Sequence, residues 1–383
     1  MSIMRMSVID FFATALMVLA TAGCTPTTAE QQCPMDVVPL PENSRPEETD
    51  WPLPLPAGLT LHTFDQGTPR CGPIRRRYFQ FVPASLPAGS GAPVVMALHG
   101  SEGNAESFEG FYSHGRFVDL ATQNGFIAVY GNAAPGPRSS TDPHILNAHT
   151  WRTSIDDDGQ VDDVAYLELV LNDMKSRGVI SGDNDIYLVG LSNGGGMVLT
   201  AAAKRPDMFK GIASFMPFVG WEPFIVPDLT GTGLDRIIIG ISEHDPVLNA
   251  VYSEHLNCPE PSGCAKYDDI LSSLPADFAK AMGLPMDVIG NPTVVQLPNV
   301  VNEGADYAGD NPVALRTRNS TATQLDMRAG DGSGRLRLLK FVQGGHLWPS
   351  SIGDSDDGLN ESFGFRNQDI DAADAVWDFF KEN

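Results

Sequence analysis

The chain has 383 residues, 42% of them apolar, which is long enough for one large core and normal for a globular protein. Its formal net charge of −23 repels phosphate backbones, so no nucleic-acid partner is expected and strongly anionic substrates are disfavoured.

Residues 1–23 read as an export signal. Arg5 supplies a charged start, and "FFATALMVLATAG" follows, apolar but short for a membrane span. The ending "TAGCT" has two readings. It resembles a bacterial lipoprotein cleavage site, which would leave Cys24 lipidated and the protein anchored in the periplasm or at the cell surface. Cleavage after "ATA" would instead give a soluble secreted protein. The four other cysteines, Cys33, Cys71, Cys258 and Cys264, are an even set, consistent with disulfides in an exported chain. The expected pairs are Cys33–Cys71 and Cys258–Cys264. No C-x-x-C or H-E-x-x-H occurs, so no metal site is expected.

Residues 24–57 are rich in Pro, Thr and Glu and read as a tether or strap. The folded domain is expected over 58–383. Strands are expected at 75–83, 92–100, 126–132, 185–190, 211–220, 235–241 and 335–342. Amphipathic helices fall at 162–178, after residue 195, and near the end in "IDAADAVWDFFKE". This alternation predicts an α/β protein, with a mostly parallel, doubly wound sheet covered on both faces. Residues 246–334 fit the scheme poorly. They hold one helix ("YDDILSSLPADFAKAMG") and much Asn, Pro, Gly and Thr, and read as a loop-rich insertion shaping a pocket.

Chemistry concentrates in "DIYLVGLSNGGG". Gly190-Leu191-Ser192-Asn193-Gly194 matches G-x-S-x-G between a strand and a helix, the context of a strained turn that lifts a serine hydroxyl clear of the sheet. A serine nucleophile needs a base, and the base an orienting acid, in the chain order Ser, acid, His. His346 in "QGGHLWPS", just past the last strand, is the expected base; His255 is the alternative. Asp245, just after the strand "RIIIGI", is the expected acid, with Glu243 and Asp235 as alternatives. The expected oxyanion donors are the backbone N–H groups of Asn193 and of Ser101, with Glu102 as fallback. His99 reads as a structural histidine, and His244 as a pocket or surface residue. The acidic run "SIDDDGQVDD" fails the calcium-loop pattern, because counting from Gly159 as the sixth position puts Ala165 at the twelfth.

"RRYFQFVP", "VVMALHGSEGN", "TW" near 150, "VDDVAYLELVL", "IYLVGLSNGGGM", "HDPV" and "GGHLWP" occur in this order over residues 75–350. Together they resemble the secreted α/β-hydrolases grouped with poly(3-hydroxybutyrate) depolymerases and with feruloyl or acetylxylan esterases. The resemblance implies a Ser192–Asp245–His346 triad, structural roles for Asp162 and Asp163 near the elbow, and Trp348 and Trp151 as pocket residues. A monomeric hydrolase of small or oligomeric esters that needs no cofactor is expected. The acid motif "ISEHDPV" departs from the family's usual wording, so Asp245 rests on position. A serine peptidase of the same fold and a non-catalytic lipid-anchored binding protein are the alternative readings.

Overall fold

The computed structural model describes residues 57–67, 73–101, 103–134, 150–153, 161–219, 225–243, 245–248, 267–299, 307–308, 315–316, 320–331, 334–342, 344–352 and 363–382. The export segment, all five cysteines, His244, His255, Glu102 and most of the acidic run lie outside them.

One ten-stranded sheet organises the chain. Its strands are β1 (Thr60–Gln66), β2 (Ile74–Phe81), β3 (Val94–Leu98), β4 (Ile127–Gly131), β5 (Ile186–Leu191), β6 (Gly211–Phe215), β7 (Arg236–Glu243), β8 (Thr293–Gln296), β11 (Thr321–Arg328) and β12 (Arg335–Val342). Two short strands, β9 (Tyr307–Ala308) and β10 (Leu315–Arg316), form a separate ribbon. The spatial order is β1-β2-β4-β3-β5-β6-β7-β12-β11-β8. The six central strands run parallel, and antiparallel strands close both edges. β3, β4, β5 and β6 are buried along their whole length, as strands covered on both faces must be. The covering helices are α1 (Arg116–Asn124), α2 (Asp163–Ser176), α3 (Asn193–Lys204), α4 (Tyr267–Ala281) and α5 (Ala372–Lys381).

The α/β-hydrolase fold expected from the sequence is therefore present. The main departures lie at the edges. β1 was not expected. The 246–334 stretch carries its expected helix, α4, but also donates β8 and β11, which extend the sheet beyond β12. β8 is exposed throughout, so it lacks the apolar alternation that marks a half-buried strand.

A buried ion pair fixes the loops beneath the elbow. Arg76 on β2 meets Asp163 at 2.6 Å, and both side chains are sealed from water. The same guanidinium donates to Gln66 Oε1 and to the Asn132 carbonyl, and lies 3.9 Å over the Tyr166 ring. Asp162 caps α2 by accepting from the Ala165 N–H.

Candidate active site

Four loops converge at the carboxyl edge of the parallel strands, where ligand sites of open α/β sheets form. They follow β3, β5, β7 and β12, and carry Ser101, Ser192, Asp245 and His346 respectively.

Ser192 sits at φ 59° and ψ −122° between β5 and α3, a conformation that costs a residue with a Cβ about 1–3 kcal/mol. The surroundings hold it there. Its N–H donates to the Phe215 carbonyl (2.9 Å), and its own carbonyl accepts from Gly196 (2.9 Å) and Phe218 (3.0 Å). The turn closes only with glycine at two flanking positions. A Cβ on Gly190 would strike the Gly194 carbonyl, and one on Gly194 would strike the carbonyls of Leu98 and His99.

His346 and Asp245 meet on the other side of Ser192, in sheet order, from β3. His346 Nδ1 donates to Asp245 Oδ2 at 2.6 Å, and both side chains are buried. Asp245 Oδ1 accepts from the N–H groups of Val247 (3.0 Å) and Leu248 (2.9 Å), which fix the carboxylate's direction. The imidazole loop is braced from behind, since Gly345 and His346 donate to the carbonyls of Phe365 (2.7 Å) and Phe363 (2.6 Å). His346 Nε2 is buried and has no hydrogen-bond partner among the described residues.

His99 is a structural residue, as expected. Its Nε2 accepts from the Ala133 N–H (3.1 Å), so Nδ1 carries the proton and donates to the Gly100 carbonyl (2.7 Å). Gly103 also donates to that carbonyl (3.2 Å). In a trans peptide the Ser101 N–H then points the opposite way, away from the His99 ring. Gly100 itself touches the nucleophile: a Cβ placed there would lie 3.3 Å from Ser192 Cβ.

The Asn193 side chain is gripped at both ends. Its Oδ1 accepts from the Trp151 N–H (2.6 Å) and its Nδ2 donates to the Trp151 carbonyl (3.0 Å). Asp163 Oδ2 accepts from the next amide, Arg152 N–H, at 2.8 Å. The Arg76–Asp163 pair therefore reaches the residue after the nucleophile through two backbone steps. This network was not legible in the sequence, because its partners lie 42 residues apart and only folding joins them. Asp163, expected in a structural role, is buried here between Arg76 and the Arg152 N–H.

Both tryptophans expected to line a pocket are packed inside. Trp151 is buried, donates its indole N–H to the His99 carbonyl (2.9 Å), and packs at a tilt against the rings of His99 and Tyr166. Trp348 is sealed among Phe108, Phe117 and Phe215. A large ring beside a catalytic loop is equally useful to the core, and here the core takes both. Among the described residues no group of three or more His, Cys, Asp or Glu is placed to hold a metal ion.

Fold and elbow together define an α/β-hydrolase. Comparison with known proteins narrows this. Residues 120–229 match the prolyl oligopeptidase family. Over 264 residues the chain is 26% identical to the putative esterase NocK of Nocardia uniformis subsp. tsuyamanensis, an alignment covering 68% of this chain and 66% of that protein. It is 32% identical over 149 residues to feruloyl esterase B of Neurospora crassa, covering 37% of this chain and 44% of that one. The chain thus spans just under two thirds of the first relative's length and less than half of the second's. Among solved structures, an acetyl xylan esterase from Aspergillus awamori aligns with a TM-score of 0.45 and 15% identity, over 79% of this chain and 98% of that one. Both relatives matched by sequence carry esterase names.

Proposed function

We propose that this chain is an exported serine carboxylic-ester hydrolase with Ser192, His346 and Asp245 as its triad. The observation carrying this reading is the strained Ser192 turn at the same sheet edge as the buried His346–Asp245 pair. Ser192 Oγ attacks the ester carbonyl carbon while His346 Nε2 takes its proton. Asp245 stabilises the imidazolium and keeps Nδ1 protonated. The oxyanion is held by the N–H groups of Asn193 and Ser101. Collapse of the tetrahedral intermediate breaks the bond to the alcohol, which leaves with the proton from Nε2. Water, deprotonated by the same nitrogen, then releases the acid and restores the serine.

The substrates proposed are polyester oligomers, of 3-hydroxybutyrate or aromatic type, or feruloyl and acetyl esters of plant polysaccharide. The resemblance of the ordered motifs and the names of the relatives support this range. Export rests on the N-terminal sequence, with Cys24 as the proposed lipid attachment. Turnover of methyl ferulate, acetylated xylan and a 3-hydroxybutyrate oligomer should be compared for wild type and Ser192→Ala. Serine-dependent turnover of one ester well above the others names the substrate class. Ester hydrolysis retained in a clean Ser192→Ala preparation would sink the mechanism.

The match of residues 120–229 to the prolyl oligopeptidase family favours a second reading, a serine peptidase of the same fold. The same triad would then release an amine. Cleavage of peptide substrates in preference to the esters selects it.

A further inference from the structure

A short helical turn, Ala105–Ser107, follows the β3 loop and passes into a π-helical turn, Phe108–Tyr112. The turn ends in a tyrosine aimed back at the site. The Tyr112 hydroxyl lies 3.6 Å from the position a Gly100 Cβ would take, and Ser192 Cβ lies 3.3 Å from the same point. The phenol therefore shares the space directly beside the nucleophile. It is half-buried, and among the described residues its hydroxyl makes no hydrogen bond. A hydroxyl beside a reactive serine, open to the site and without a protein partner, has hydrogen-bonding capacity left for a ligand.

The ring cannot easily move elsewhere. Phe108 meets it edge-on at 5.6 Å, and Phe111 packs at 5.7 Å. The buried Arg366 donates to the carbonyls of Tyr112 (3.4 Å) and Phe111 (3.5 Å). Arg366 belongs to the same segment whose Phe363 and Phe365 carbonyls brace His346, so the two walls of the site are tied together. Burial pushes the phenol up to about 12, with Arg366 opposing, so the group stays a protonated donor at ordinary pH.

Sheet order decides which part of an ester it meets. His346 and Asp245 follow β12 and β7, on one side of β5, whereas Gly100 follows β3 on the other. The leaving alcohol must face His346 to receive its proton and the carbonyl oxygen must face the Ser101 and Asn193 N–H groups, so Tyr112, on the Gly100 side, lies beside the carbonyl and within reach of the first atoms of the acyl part. We propose that Tyr112 is a specificity-determining residue whose hydroxyl binds the acyl part of the ester, favouring acyl chains that carry a hydroxyl or second carbonyl over plain alkanoyl chains. This inference rests on the serine-esterase reading.

The test compares phenyl butyrate with phenyl 3-hydroxybutyrate, two esters with one leaving group that differ by one hydroxyl. Both are assayed with wild type, Tyr112→Phe and Ser192→Ala, alongside thermal melts. Wild type should prefer the hydroxy ester. Tyr112→Phe should lose roughly fivefold in kcat/KM on that ester, mainly through KM, and stay within about twofold on the plain one. Its melting temperature should match wild type, since the hydroxyl has no internal partner. Equal losses on both esters, no loss on either, no wild-type preference, or a lowered melting temperature each overturn the assignment. Failure of the esterase reading looks different, because neither ester would then show Ser192-dependent turnover.

Discussion

Ser192 can hold its strained backbone only because its neighbours over-determine it, and the same holds for the amide that follows. Asn193 N–H is useful as an oxyanion donor only if its peptide plane is fixed. The side chain supplies that fixity through its two hydrogen bonds to Trp151, of 2.6 and 3.0 Å. Truncation leaves the donor in place but loosens its aim. Asn193→Ala should therefore lower kcat by about tenfold, less than the hundredfold or more expected for outright loss of a donor, with KM little changed. Steady-state kinetics on a soluble ester check this. A change confined to KM would mean that the Asn193–Trp151 contact shapes ground-state binding instead.

The π-helical turn joins the site to the fold at the level of elements, and it houses an unusual carboxyl. Glu109 is fully buried, where it accepts from the Ser113 hydroxyl (2.6 Å) and the Val118 N–H (3.2 Å). Burial pushes its carboxyl up to about 7, against those hydrogen bonds, from an ordinary value of 4.5. A raised pKa makes the neutral form the stable one in the fold. Its stabilising contribution is complete below about pH 4.5 and is lost as pH rises through about 7. Glu109→Gln should remove that slope and gain on wild type across the window, by up to about 3 kcal/mol above pH 7. Denaturant unfolding at pH 4.5, 6 and 8 reads this, and equal stabilities at pH 8 would refute it. His114, two residues past the turn, carries the opposite sign. Its Nε2 accepts from Arg366 at 2.6 Å, and burial followed by Arg366 lowers it to about 4.

None of this turn was legible in the sequence, whereas the elbow was. G-x-S-x-G encodes a local steric demand, since glycine at 190 and 194 is required by atoms a few residues away or in the adjoining strand loop. Asp245 and His346 were legible for a similar reason, each following an apolar strand closely. The burial of Trp151 and Trp348 depends on rings from distant elements, and nothing in their flanking residues reports it. β8, the edge strand, and β11 beside it were missed because strands with exposed or half-buried polar positions resemble loops when read one chain segment at a time.

The whole molecule acts on its substrate before any loop does, through its charge. At −23, the formal charge sets up a repulsive field around a site proposed to act on a neutral carbonyl. At 10 mM ionic strength that field extends about 30 Å, and at 150 mM about 8 Å. A neutral ester is indifferent to it. An ester bearing a carboxylate, such as a phenyl hemisuccinate, must approach against it. For that ester kcat/KM should rise about threefold or more between 10 and 150 mM salt, while its uncharged methyl-capped twin stays flat. Both are measured at fixed pH with sodium chloride as the only variable, so salt effects on the enzyme cancel in their ratio. A ratio that does not move with salt would mean that the negative charge lies away from the mouth of the site. A rising ratio would make the acidic surface a filter, selecting uncharged esters at the stage of encounter, ahead of any contact with Ser192.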